Sequence, residues 1–284
     1  MPSSNRKGPA WASFVLLFGE IARHRHRYEV FRDFVTMAAF SMHNAINKVD
    51  ALEQEYLAII GRYEREDRER FPKLLAELVT ILDGEPWDAL GQLYMELGIQ
   101  SEHVGQFFTP PEVSELMARL TYGDAIANLT EPFVTVQEPA CGAGGMILAF
   151  AKMMIESGHN PAERMWAHCQ DIDRTAALMC YLQLALWHIP AVVVVGNTLA
   201  LETREVFYTP AHYLGRWDDR LATRRTIDAM RKLIHADANT SVAPVLADAH
   251  EAPVMTEVTA TTIEPTARPL PGASGTPAQF DFGF

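Results

Sequence analysis

The run Gln137-Glu138-Pro139-Ala140-Cys141-Gly142-Ala143-Gly144-Gly145 is the stretch of this chain best suited to chemistry. It follows the apolar, β-prone residues Pro132-Phe133-Val134-Thr135-Val136 and opens a periodic apolar stretch from Met146 to Met154. That order predicts a strand, a glycine turn and a helix. Glycine lets the backbone approach a ligand without Cβ clashes, and a helix start offers unpaired N–H groups. Together they suit a nucleotide-like cofactor lying against the backbone. A G-x-G-G turn also joins many strands to helices that bind nothing, so the flanking residues must carry the reading.

Three further groups fall in order around it. Gln106-Phe107-Phe108-Thr109-Pro110 precedes the turn, with Thr109 as a helix cap, Pro110 and Pro111 in the first turn, and a helix over Val113–Leu120. Gln170-Asp171-Ile172-Asp173 follows a short strand near Met165–Cys169, and Asp173 or Thr175 caps a helix to Trp187. Gly196-Asn197-Thr198-Leu199 follows a buried strand, Ala191–Val195. Strands alternating with helices predict a parallel α/β sheet. Its ligand end is the carboxyl edge, where these groups would meet.

The elements that must hold this site are of two kinds. Residues 10–100 have helical periodicity and predict three to five helices, with Pro72 opening one over Lys73–Leu82 and Asp83-Gly84-Glu85-Pro86 closing it. Residues 1–9 read as a flexible N-terminus and 101–236 as the α/β domain, ending in a helix over Trp217–His235. Residues 237–284 read as a disordered, Ala-, Thr- and Pro-rich tail. Its aromatic tip, Gln279-Phe280-Asp281-Phe282-Gly283-Phe284, resembles the Gln-led peptides by which bacterial proteins dock on the replication sliding clamp; the alternative is a tail end that folds back or binds nothing.

Charge limits the partners. A net charge of −12 is awkward for a protein gripping many phosphates alone. Arg23-His24-Arg25-His26-Arg27 and the set Arg216, Arg220, Arg224, Arg225, Arg231 and Lys232 are locally positive; each is either a phosphate-facing patch or a solvated helix face. Cys141, Cys169 and Cys180 have no metal-ligand spacing, so no metal site is expected, and they read as reduced cytoplasmic thiols. The apolar stretch Ala10–Phe18 is too short to span a membrane.

The four ordered groups resemble the boxes of the adenine-N6 DNA methyltransferases that form the modification subunit of type I restriction–modification systems. The resemblance covers roughly residues 100–200 and implies a Rossmann-like class I S-adenosylmethionine-dependent methyltransferase fold behind a helical N-terminal region. It implies Thr109 and Pro110 near the cofactor's methionine part. The backbone of Pro139, Ala140, Cys141, Gly142, Gly144 and Gly145 would pass beneath its amino-acid moiety and ribose. Asp171 would accept from the ribose hydroxyls, Ile172 would pack on the adenine, and Asn197 would meet its exocyclic amine. Glu138 and Asn197 stand where the family has Asp, each keeping an acceptor oxygen; Cys141 reads as a small packing residue.

One box is missing. The family's Asn-Pro-Pro-Phe/Tyr motif, which holds a flipped adenine, has no counterpart. Where it is expected the chain reads Val206 to Trp217, either structural packing or a divergent substrate loop in which Tyr208, Tyr213 or Trp217 stacks a base and His212 meets the amine. Arg216, Arg220, Arg224 and Arg225 are the candidate DNA contacts. Two functions follow from the resemblance. One is methyl transfer from S-adenosylmethionine to adenine N6 in bacterial DNA, with recognition borrowed from a specificity subunit. The other is an inactive cofactor-binding relative that regulates restriction–modification or acts as a decoy in it.

Overall fold

The computed structural model describes residues 7–99 and 108–240; Gln106, Phe107 and the aromatic tip Gln279–Phe284 lie outside the described residues, as does most of the stretch read as a tail. Five helices come first: α1 (Pro9–Glu20), α2 (Arg27–Asn44), α3 (Asp50–Ile60), α4 (Arg65–Ile81) and α5 (Ala89–Glu96). The basic cluster at 23–27 is largely spent on helix ends. Arg27 donates to the carbonyls of Phe18, near the end of α1, and of Ile21, Ala22 and Arg25 in the turn that follows it.

Pro72 does not open a helix; it lies inside α4. The charged stretch before it is built of strong helix formers and is held by the i,i+4 pairs Arg65–Glu69 and Glu66–Arg70, so the helix begins seven residues earlier.

The α/β part runs α6 (Pro111–Ala127), β1 (Val134–Glu138), α7 (Gly145–Glu156), α8 (Pro161–Arg164), β2 (Met165–Asp171), α9 (Arg174–Leu186), β3 (Ala191–Val195), β4 (Glu205–Tyr208), α10 (Pro210–Leu214) and α11 (Trp217–Thr240). Pro110, not Thr109, takes the N-cap position of α6, and no side chain caps it. Asp173 caps α9 by accepting from Ala176 N at 2.8 Å.

The sheet order is β1-β2-β3-β4, parallel except at its last pair. The expected parallel sheet is present in β1, β2 and β3, and β4 adds an antiparallel strand at its edge. A parallel partner needs a long crossover, whereas residues 196–204 merely turn the chain back, so β4 runs antiparallel to β3.

Each face of the sheet has its own core. One is shared with the helical region: α2 packs against α9, and Phe14, Phe31 and Phe34 belong to the same cluster as Cys169 and Val193. The other is smaller, formed by Phe133, Trp166, Val192 and Val194 beneath Trp217 and Leu221 of α11. Arg174 ties the parts together, pairing with Glu55 of α3 at 2.8 Å and Glu205 of β4 at 2.7 Å. The described residues up to Lys232 form one compact unit. Among the described residues no helix is long and apolar enough to cross a membrane.

Candidate functional site

The glycine turn and the acidic box meet. Strand β1 ends at Glu138 beside Cys169 of β2, which brings the turn against the end of β2. Cys141 N donates to Gln170 O at 2.9 Å, and Gly142 N donates to Asp171 Oδ2 at 2.8 Å. The other carboxylate oxygen, Oδ1, accepts from Asp173 N at 2.9 Å. One carboxylate therefore sets both the turn and the start of the next helix. Burial pushes its pKa above the ordinary carboxylate range, and the N–H groups of Asp173 and Gly142 pull it partly back.

Gly142 and Gly144 are left-handed, at φ +53° and +91°. Behind Gly144 there is no room: a Cβ there would lie 2.9 Å from Cys180 Sγ. Gly144→Ala should lower stability by roughly 1–3 kcal/mol, from left-handed strain and the sulfur contact together. Urea unfolding of the two proteins measures this, and an unchanged midpoint would contradict it.

Cys141, Cys169 and Cys180 are all buried and free, which fits packing rather than attack by Cys141. Hydrogen bonding within the cluster, with burial, holds the Cys141 and Cys180 thiols above their ordinary range and so protonated.

Other predicted residues surround the turn. Phe108 packs on Gly142, whose missing Cβ would lie 3.3 Å from the ring; Thr109 and Pro110 are exposed next in the chain. Thr198 Oγ1 donates to Pro139 O at 2.7 Å, bringing the third box over the turn. Glu138 accepts from Ala140 N at 3.4 Å, and burial raises its pKa. Ile172 is 60% exposed, an apolar side chain open to a ring beside the acidic residue. Asn197 differs from expectation: its Oδ1 already accepts from Leu199 N and Ala200 N, at 3.0 and 3.2 Å, so both lone pairs serve its own loop rather than an incoming amine.

The 206–217 loop is not beside this site. Because β4 runs backwards, Glu205 lies opposite Val195 at the carboxyl end, while Tyr208 lies opposite Val192, nearer the amino end. His212 is 1% exposed; its Nδ1 accepts from Trp166 Nε1 at 3.1 Å, and its Nε2 faces Asp218 at 3.3 Å. Burial lowers its pKa, so the ring is neutral at pH 7. Tyr208 stacks on it at 4.5 Å, and Tyr213 accepts from Asn47 Nδ2 at 3.0 Å. Trp217 is fully buried. These residues pack the amino-end side of the sheet, which favours the packing alternative over the substrate loop. The arginines are partly committed too. Arg224 donates to Phe133 O at 2.7 Å, Arg220 lies 3.7 Å over the Trp217 ring and donates to Glu163 O, and Arg216 pairs with Asp219. Arg225 donates to Leu221 O at 3.4 Å.

Sequence reasoning missed three residues behind the turn. Gln183 Nε2 donates to Ala143 O at 2.8 Å and to Asp88 Oδ1 at 2.9 Å, and Ser114 lies close by on α6. Two signals were present: Asp88 three residues before Gly91 as a helix cap, and Gln183 as the polar residue in the apolar run of α9.

Residues 88–220, a little under half of the chain, match the family model described as N-6 DNA methylase. The type I restriction enzyme MpnII methylase subunit of Mycoplasma pneumoniae is 28% identical over 108 residues, which is 37% of this chain and 18% of that protein. Two solved structures are more distant. One is described as a class I S-adenosylmethionine-dependent methyltransferase from Listeria monocytogenes: 12% identity, TM-score 0.38, covering 64% of this chain and 51% of that one. The other is the type I restriction-modification system methyltransferase subunit from Streptococcus thermophilus: 13% identity, TM-score 0.33, covering 64% and 55%. The chain thus spans less than a fifth of the curated relative and about half of each structure.

Proposed function

We propose that this chain, whose residues 88–220 match the N-6 DNA methylase family model, binds S-adenosylmethionine at the 138–145 turn and transfers its methyl group to adenine N6 in DNA. The observation that carries the reading is the Asp171 carboxylate, buried at the end of β2 and bonded to Gly142 N of the turn. The residues fit the group. Gly142 and Gly144 hold the turn in a left-handed backbone, Asp171 supplies acceptors for ribose hydroxyls, and Ile172 gives an exposed apolar surface for a flat ring. The cofactor supplies an electrophilic methyl on a sulfonium. This chain's residues would hold that methyl in line with the attacking amine, a contribution of positioning.

DNA is the proposed substrate, and a separate specificity subunit the proposed partner. The acidic balance and the committed arginines of α11 leave sequence reading and most phosphate contact to another chain. The Gln279–Phe284 tip is a candidate sliding-clamp ligand. A second reading, a cofactor-binding regulator without transferase activity, is favoured by one observation. The Asn-Pro-Pro box is absent, and Tyr208, His212 and Tyr213, the candidates to replace it, are packed away from the turn. Expression in a methylation-free bacterial host separates the two, with N6-methyladenine measured by nucleoside mass spectrometry and Asp171→Ala as control. Methylation that vanishes in the variant supports the transferase. Unmethylated DNA from cells holding soluble protein, with and without a co-expressed specificity subunit, supports the regulator.

A further inference from the structure

Asp88 is buried behind the start of α7, and only half of its carboxylate is in use. It is 3% exposed, and its Oδ1 accepts both Gly91 N at 2.7 Å and Gln183 Nε2 at 2.9 Å. Oδ2 has no hydrogen bond among the described residues and lies 3.5 Å from where a Cβ on Gly145 would sit. Ser114 Oγ lies 3.6 Å from the same point. Ser114 is 1% exposed, and its hydroxyl has no partner within the protein.

Asp88 Oδ2, which no described residue binds, and the unpartnered Ser114 hydroxyl therefore both face the point where a Cβ on Gly145 would sit. Leaving a buried hydroxyl unmatched beside a carboxylate is costly. A cation carrying several N–H donors would satisfy both oxygens. A carboxylate or phosphate would be repelled by Asp88, even though the helix start alone would favour it.

We propose that Asp88 and Ser114 form the subsite for the ammonium group of the cofactor's methionine moiety, an assignment that rests on the S-adenosylmethionine reading above. Gly145 carries no side chain at the point the two oxygens face, and Gln183 holds the Asp88 carboxylate in place while also fixing Ala143 O.

The substitution Asp88→Asn tests this selectively. An amide can keep both hydrogen bonds on Oδ1 and replace only the free oxygen, so the α5 cap survives. Isothermal titration of the full chain would use S-adenosylhomocysteine and methylthioadenosine, the second carrying the same nucleoside thioether without the amino-acid group. The expected result is a Kd for S-adenosylhomocysteine at least tenfold higher in Asp88→Asn, an unchanged Kd for methylthioadenosine, and a melting temperature no lower than wild type. Ser114→Ala should give a smaller loss, about threefold, with the same selectivity. Equal weakening of both ligands, or of neither, overturns the ammonium subsite while leaving the cofactor reading intact. A wild-type protein that binds neither ligand overturns both.

Discussion

Asp171→Ala should raise the Kd for S-adenosylhomocysteine about 100-fold. Two hydrogen bonds from ribose hydroxyls to an ionised acceptor are worth roughly 1.5 kcal/mol each, and 1.4 kcal/mol is a factor of ten in affinity. The same carboxylate also holds Gly142 N and Asp173 N, so the variant loosens the turn as well as losing the acceptor. Methylthioadenosine, which keeps the ribose, should lose as much as S-adenosylhomocysteine. That pattern is the opposite of the one expected for Asp88→Asn, and titrating both ligands against both variants separates ribose from ammonium recognition. Retention of wild-type affinity in Asp171→Ala would remove this residue from the site.

The pH dependence has a definite sign. Burial holds the Asp171 carboxyl above its unfolded value, so ionising it costs stability, and that cost grows as pH rises from the unfolded pKa through the folded one. Glu138 and Asp88 shift in the same direction for the same first cause. The protein without cofactor should therefore gain from these three groups as pH falls toward the mildly acidic range. Ribose hydroxyls donate best to the ionised form, so affinity should fall over that same range. A thermal-shift series with and without S-adenosylhomocysteine reads both trends, and the ligand-dependent shift should shrink on acidification.

Much of the site was legible because its residues are local and punctuated. A β-branched run ends at a glycine turn, and acidic or polar boxes follow β2 and β3, so sheet geometry alone brings them to one edge. What was not legible depended on distance and direction. Nothing in Val206-Phe207-Tyr208 announces that β4 runs backwards; the short 196–204 connection decides that, and with it the placing of His212 far along the sheet. Asp88 and Gln183 are 95 residues apart and meet only because α5 packs on α9. Pro72 misled because the buried face of its helix, Phe71, Leu74 and Leu78, outweighs one lost backbone bond.

Trp217→Ala should cost about 4 kcal/mol of stability, within the range for deleting a fully buried aromatic ring, and about 10 °C in melting temperature. Trp217 is the centre of the smaller core. Its ring meets Phe133 edge-on at 5.0 Å, packs with Trp166, Val192 and Val194, and carries the Arg220 guanidinium on its face. Beyond Leu221 the apolar grip of α11 on the sheet fades, with Ile227 and Met230 44% and 57% exposed, and Arg224 continues the hold through its bond to Phe133 O. The first turns of the helix therefore bear its attachment. Trp217→Phe should be milder, because the Trp217 Nε1 has no partner within the protein and its loss leaves nothing unsatisfied. A residue that stacked on a flipped base would behave differently, losing methyl transfer while the melting temperature held. Thermal unfolding of both variants decides between the roles: a drop of about 10 °C in Trp217→Ala, with a smaller drop in Trp217→Phe, makes this ring the anchor of α11, and an unchanged melting temperature in both would return it to the substrate.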